Sequence, residues 1–335
     1  MKALVEFLQD PSSYPEKPST IRLVQTHISW VFVGDDYVYK VKKPVNLGFL
    51  DFSSLEKRKF YVAEELRLNA RFSPDIYLAA VPISAHEERY ILGDGSRVVD
   101  YALKMKRINE DRMLHRLLDA GKVTDNDMRR VGVHLARLYE RIPSDEKARS
   151  FGSLETIGHN ITENFEQTRK YIGGPLCRER FEDIKSWSFT FMRKNRDLFG
   201  KRIEEGHIKE CHGDLHLQHV CMEDDAIFVF DCIEFNERFR YSDVAADVAF
   251  LSMDLDYNGH GELADAFTTG YIEATGDTDL KKILIFYKVY RAYVRAKVTS
   301  FLFDDGSSPE EVRAMAMDHA TRYYDLAYAY VTGTM

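Results

Sequence analysis

The chain predicts an α+β fold in two lobes, an antiparallel sheet with one inserted helix followed by a mainly helical remainder. Three observations lead there. From Ile21 to Arg107 short apolar runs alternate with turn residues, the period-2 habit of strands. Beyond Arg107 the apolar residues recur with the period of amphipathic helices. No Gly/Ser- or Pro-rich spacer of the kind that separates independent domains interrupts the chain, so the lobes are expected at 1–106 and 107–335, tightly joined.

Taken in order, Met1 to Gln9 reads as a short helix. Ile21–Gln25, Trp30–Gly34 and Tyr37–Val41 form a three-strand meander, its first turn Thr26-His27-Ile28-Ser29 and its second Gly34-Asp35-Asp36. Ser53 or Ser54 caps a helix from Leu55 to Arg71, stopped by Pro74. Val81–Ser84, Arg89–Leu92 and Val98–Met105 complete the sheet, with Gly93-Asp94-Gly95 as a hairpin turn. Helices are expected at 111–120, 126–140, 154–171, 178–199, 243–255, 262–274, 280–303 and 309–332. Two short strands, 220–222 and 227–231, break that run.

Composition narrows the function. A formal charge of -8 argues against a nucleic-acid binder that relies on neutralising phosphates. No apolar stretch approaches the roughly 20 residues of a membrane helix, and the acidic Glu6 near the start does not fit a signal peptide, so a cytoplasmic location is expected. Cys177, Cys211, Cys221 and Cys232 form no C-x-x-C pair and read as reduced thiols.

The densest polar cluster is His212-Gly213-Asp214-Leu215-His216-Leu217-Gln218-His219, followed after a hairpin by Phe228-Val229-Phe230-Asp231-Cys232-Ile233-Glu234. An H-G-D loop leading to an apolar strand that ends in Asp is the layout of phosphoryl transfer. One carboxylate accepts the proton of the attacking hydroxyl and a second holds the magnesium that bridges the phosphates. Asp214 suits the first role and Asp231 the second, with His212 orienting the loop. A metal hydrolase using His207, Cys211, His212, His216 and His219 is the competing reading of the same cluster; Gly213 and Asp214 argue for a loop rather than a helical ligand face, and no H-E-x-x-H occurs.

This loop resembles the H-G-D-x-x-x-x-N signature of aminoglycoside phosphotransferases, choline kinases and their kin, which parallels the H-R-D loop of protein kinases. The phrases 211–220, 230–236, 238–240 and 243–247, with Tyr39-Lys40-Val41-Lys42-Lys43-Pro44 and 46–56, are similar to a bacterial branch of that superfamily. The resemblance implies a two-lobed kinase-like fold, ATP or GTP between sheet and helices, and a hydroxyl-bearing small molecule as acceptor. The chain departs from the signature at His219, which stands where the pattern has a metal-ligating Asn. Hard magnesium prefers oxygen, so either Gln218 or Glu234 supplies one, or the site is weak or selects manganese.

In kinase-like folds a lysine on the third strand grips the phosphates and is held by a glutamate of the following helix. Lys40 is the natural candidate, with Lys42 as runner-up on the same strand face. Glu65, which shares a face with Tyr61, Leu68 and Asn69, is preferred to Glu64 as its partner. No G-x-G-x-x-G is present, leaving Thr26 and Ser29 to cover the phosphates. Backbone groups from Met105 to Arg107 would meet the base.

For the acceptor, two stripes point in opposite directions. Asp243, Asp247, Asp254 and Asp256 would attract a cation; Lys288, Arg291 and Arg295 share a helix face that would attract an anion, and the two stripes can instead pair with each other. Glu234, Asp247, Arg291 and Arg295 are the acceptor candidates. A nucleotide-binding module weakened by His219, transfer to a protein acceptor, and transfer of a nucleotidyl group are the other readings of this constellation.

Overall fold

The computed structural model describes residues 2–48, 50–87, 89–304 and 309–334, so Met1 of the first helix and Phe49 of the 47–54 loop lie outside the described residues. The chain divides into two compact units, Met1–Leu117 with Gln218–Arg240, and Leu118–Leu217 with Tyr241–Met335.

The N-terminal unit opens with α1 (Lys2–Gln9), then β1 (Arg22–Gln25), β2 (Ser29–Val33), β3 (Tyr37–Lys42), α2 (Leu55–Ala70), β4 (Tyr77–His86), β5 (Arg89–Leu92) and β6 (Val98–Lys106). All six strands join one antiparallel sheet in the order β1-β2-β3-β6-β4-β5. The insertion of α2 carries the chain away from β3, and β6 returns to fill the place beside it. Ser54 is the residue that caps α2, accepting from Lys57 N at 3.2 Å.

Alternation along β3 decides what each face of the sheet does. Tyr39 and Val41 join Phe32, Ile83 and Ala102 in a core closed by Leu4 and Leu8 of α1. Lys40 and Lys42 therefore point the other way, toward the side where Val62 of α2 packs on Ile76, Tyr77 and Leu103.

The chain continues with α3 (Leu114–Asp119), α4 (Asp125–Glu140), α5 (Glu146–Ser150), α6 (Leu154–Thr168), α7 (Arg178–Lys194), α8 (Arg196–Glu204) and β7 (Ile208–Glu210). The hairpin β8 (Val220–Glu223) and β9 (Ala226–Val229) follows, then α9 (Glu237–Arg240), β10 (Tyr241–Asp243), α10 (Ala245–Tyr257), α11 (Gly261–Thr275), α12 (Leu280–Asp304) and α13 (Glu310–Thr332). No described helix is long and apolar enough to cross a membrane.

Two departures from expectation have local causes. The helix expected over 178–199 is two helices, because Asn195 turns its amide back to the Phe191 carbonyl at 2.9 Å and leaves the α-helical region itself. Asp243 was expected inside a helix; it sits in β10, paired with Ile208 of β7, and its carboxylate accepts from Ala245 N at 2.9 Å just ahead of α10.

Candidate active site

In the N-terminal unit the α2 side of the sheet carries a buried cluster of charges. Lys40 Nζ donates to Asp231 Oδ1 at 2.7 Å and lies 2.8 Å from Glu65 Oε1, an ion pair outside hydrogen-bond geometry. Lys42 Nζ donates to Glu65 Oε2 at 2.6 Å and to Glu234, and sits over the Phe52 ring. Both lysines thus share Glu65, one on each oxygen. Glu64 is turned to Arg67 and Arg240.

Burial alone pushes the Lys40 ammonium toward the neutral form, but Asp231, Glu65 and Glu234 outweigh it and hold its pKa well above the ordinary lysine value. Burial likewise opposes ionisation of Glu65, and Lys40 and Lys42 overcome it, leaving its pKa below the usual carboxylate range. Glu234 differs, since its burial wins over the pull of Lys42 and its pKa is raised. Expected near metal or acceptor, Glu234 is only 7% exposed and is tied to Lys42 instead.

Asp231 adopts φ +65°, the left-handed region that a non-glycine residue rarely occupies. The backbone around it is fastened on every side: Phe230 N donates to His219 O at 3.1 Å, Asp231 N to Tyr77 Oη at 3.0 Å, and Cys232 N to Asn69 Oδ1 at 2.9 Å. Such over-determination is how strain at a working residue is retained. His219 Nε2 lies 3.6 Å from Asp231 Oδ2, the carboxylate oxygen other than the one Lys40 contacts. A carboxylate beside an imidazole is a donor set that fits a divalent cation, and suits manganese better than magnesium.

Other expected nucleotide contacts fall differently. Met105 was placed at the base edge; it lies within the sheet, its main chain paired with Val38 on one side and Tyr77 on the other. Arg107 N donates to Asp36 O at 2.8 Å, and Arg107 lines a cavity of about 1110 Å³ with Arg22, Tyr37, Ile108 and Asn109. Thr26 Oγ1 accepts from Ser29 N at 2.9 Å, closing its own turn, while the Ser29 hydroxyl is buried and finds no partner among the described residues.

In the C-terminal unit the H-G-D loop follows β7. Asp247, fully buried at 0% exposure, takes the amides of His212 at 2.7 Å and Gly213 at 3.1 Å and the Tyr139 hydroxyl. Arg291 donates to Gly213 O at 2.9 Å, to Ala246 O at 3.1 Å and to Asp247 at 3.3 Å. Both residues were candidates for the acceptor. They brace the loop instead, because a carboxylate meets paired amides and an arginine fork meets carbonyls without any ligand.

Gly213 takes φ +85°, which a side chain would resist, and so presents its amide to Asp247. The buried His212 ring accepts from Asp214 N at 3.3 Å, and His216 Nε2 stands 3.5 Å from Asp214 Oδ2. Of the remaining stripe residues, Lys288 pairs with Asp256 at 2.7 Å, Asp254 takes Leu217 N at 3.0 Å, and Asp243 pairs with Arg202. Arg295 packs over the Tyr323 ring, its buried Nε without a partner among the described residues. Two pairs join the stripes, Arg291 with Asp247 and Lys288 with Asp256, while Asp243, Asp254 and Arg295 take other partners.

No family model matches the chain. Uncharacterized proteins of Mycobacterium tuberculosis and Mycobacterium bovis are each 29% identical over 299 residues, which cover 88% of this chain and 57% of theirs. The chain thus spans little more than half the length of the curated relatives it matches. Among solved structures, choline kinase from Cryptosporidium parvum superposes with a TM-score of 0.57 at 10% identity, covering 98% of this chain and 94% of that one. The GDP complex of aminoglycoside 2'-phosphotransferase-IIIa gives 0.54 at 12% identity with both chains fully covered. The fold is that of the choline kinases and aminoglycoside phosphotransferases. A kinase-like glucosamine kinase, solved with glucosamine, ADP and inorganic phosphate, also matches, with a TM-score of 0.51 at 13% identity over 95% of this chain and 77% of that one.

Proposed function

We propose that the chain is a phosphotransferase that moves the γ-phosphoryl group of ATP or GTP to a hydroxyl of a small molecule. The observation that carries the reading is Lys40, held 2.8 Å from Glu65 and 2.7 Å from Asp231 on the strand and helix where a kinase-like fold needs a phosphate clamp. Asp231 and His219 would hold the divalent cation, manganese or magnesium, which supplies charge neutralisation at the phosphates when bound. Lys40 grips the phosphates, and Asp214 accepts the proton of the attacking hydroxyl. Catalysis in this scheme comes from positioning and charge stabilisation rather than from a covalent enzyme intermediate. The segment 1–106 serves the nucleotide and 107–335 the transfer, in a cytoplasmic protein.

The acidic residues that a polycationic acceptor would need are already engaged within the C-terminal unit, as the pairs of Asp247, Asp254 and Asp256 show. Lys288 and Arg291 are engaged in the same way, so a neutral hydroxyl compound such as a sugar fits better than an aminoglycoside or a sugar acid. His219 favours one further reading, a nucleotide-binding module with weakened metal affinity or one that serves a protein acceptor.

The test is nucleotide consumption, with ATP or GTP and with magnesium or manganese, against sugars, sugar acids, amino alcohols and aminoglycosides. Acceptor-dependent release of the diphosphate, reduced about 100-fold or more in Asp214→Ala with nucleotide binding kept, is expected. Metal-dependent binding without consumption would favour the module or the protein acceptor, and absence of any nucleotide binding would refute the kinase reading.

A further inference from the structure

Lys42 has no part in the scheme above, yet it is one of the most deeply buried side chains of the molecule, at 1% exposure. A lysine is almost never fully buried unless paired, and a buried ion pair is weak evidence for stability, since well-packed apolar residues replace it at little or no loss. What such a pair supplies is geometry.

The cluster is graded from outside to inside. The outer rung is Lys40 with Asp231, whose side chains are 15% and 43% exposed; the inner rung is Lys42 with Glu234, at 1% and 7%. Glu65 spans the two, one oxygen to each lysine, and is itself 1% exposed. A ligand reaches only the outer rung. When phosphates draw Lys40 and a cation takes Asp231, Glu65 keeps a full positive partner on its other oxygen. Without the inner lysine, Glu65 would compete with the phosphates for Lys40, and Glu234, three residues after Asp231, would be a buried carboxylate deprived of the ammonium that donates to it.

We propose that Lys42 is a positioning residue that anchors Glu65 on α2 and Glu234 behind Asp231, so that Lys40 can exchange Asp231 for phosphate while its surroundings stay in place. This rests on the phosphotransferase reading. It assigns the two lysines of β3 different tasks: Lys40 touches the nucleotide and Lys42 acts only through the two glutamates.

The experiment compares wild type, Lys42→Arg, Lys42→Met and the double variant Lys42→Met/Glu234→Gln, which removes the stranded carboxylate and keeps the test usable if Lys42→Met alone does not fold. Folding is followed by thermal melting, and kcat and KM are measured separately for nucleotide and acceptor. Expected are a folded double variant whose kcat falls at least tenfold with acceptor KM unchanged, and partial recovery in Lys42→Arg. A folded double variant with kcat within twofold of wild type would overturn the role of Lys42 and leave the phosphotransferase reading standing. Parallel loss of acceptor affinity, nucleotide affinity and melting temperature would reduce Lys42 to a structural residue. A wild-type protein inert toward every nucleotide would overturn both proposals together.

Discussion

In the N-terminal unit the carboxylate of Asp231 meets charge, with side chains from β3, α2 and the segment after β9 converging on Glu65 and the two lysines above a main chain fastened by His219, Tyr77 and Asn69. In the C-terminal unit Asp214 is placed by backbone, with Asp247 taking two loop amides and Arg291 a loop carbonyl. The difference matches the role proposed for each carboxylate. In the proposed scheme Asp231 trades an ammonium for a cation, which suits a carboxylate set beside one exchangeable charge, Lys40, in front of a buried pair that stays put. A residue that must meet one proton at one place is best set on a main chain that cannot move.

The largest loss is expected at Asp247. Asp247→Ala strands the guanidinium of Arg291 and two buried amides, and a loss of about 3–5 kcal/mol in denaturant unfolding is expected. Asp247→Asn, which keeps an acceptor oxygen, should lose distinctly less. On the other side, Glu65→Gln leaves both lysines a neutral partner; about 1.5–3 kcal/mol should be lost by the same measurement, and nucleotide affinity should fall more than acceptor affinity.

The smallest effect separates the two by pH. Glu65 is held below and Lys40 well above its usual pKa, so that pair stays charged throughout the neutral range. On α4, which carries Tyr139 to Asp247, burial together with Arg137 and Arg141 lowers the pKa of His134 to about 4. A histidine depressed in the folded state stabilises it above the unfolded pKa of about 6.5, and that contribution is lost as pH falls toward the folded value. Melting temperature should therefore decline between pH 6.5 and 4, and His134→Gln should flatten that limb. An unchanged limb in the variant would show that another group sets it.

Much of this was legible in the sequence because long elements repeat their pattern. The six strands, α2, and the long helices of the C-terminal unit announced themselves by period and caps, whereas the five-residue α5 did not and α7 and α8 read as one helix. The pair β7 and β10 did not, since three-residue strands hold too little alternation to be seen. Glu65 was separable from Glu64 because its helix face was apolar. The division of labour between Lys40 and Lys42 was not, since alternation puts both on one face and only burial distinguishes them. Asp247 and Arg291 looked like ligand-binding residues for a related reason: hydrogen bonding to backbone leaves no pattern in the partner's sequence, so a brace and a binding group look alike.

The contact between α4 and α11 is also part of how the loop is held. A Cβ at Gly132 would stand 2.3 Å from Phe267 O, and one at Gly270 would stand 2.5 Å from Arg129 O, so the two helices meet main chain to main chain. Tyr139, about two turns beyond Gly132, takes its place from that seam. At those two glycines the crossing has no rotamers to hop and no methyl groups to add or trim. It acts as a fixed datum: side chains elsewhere on α4 and α11 can be exchanged while Tyr139, and with it the loop amides that meet at Asp247, stays where it was.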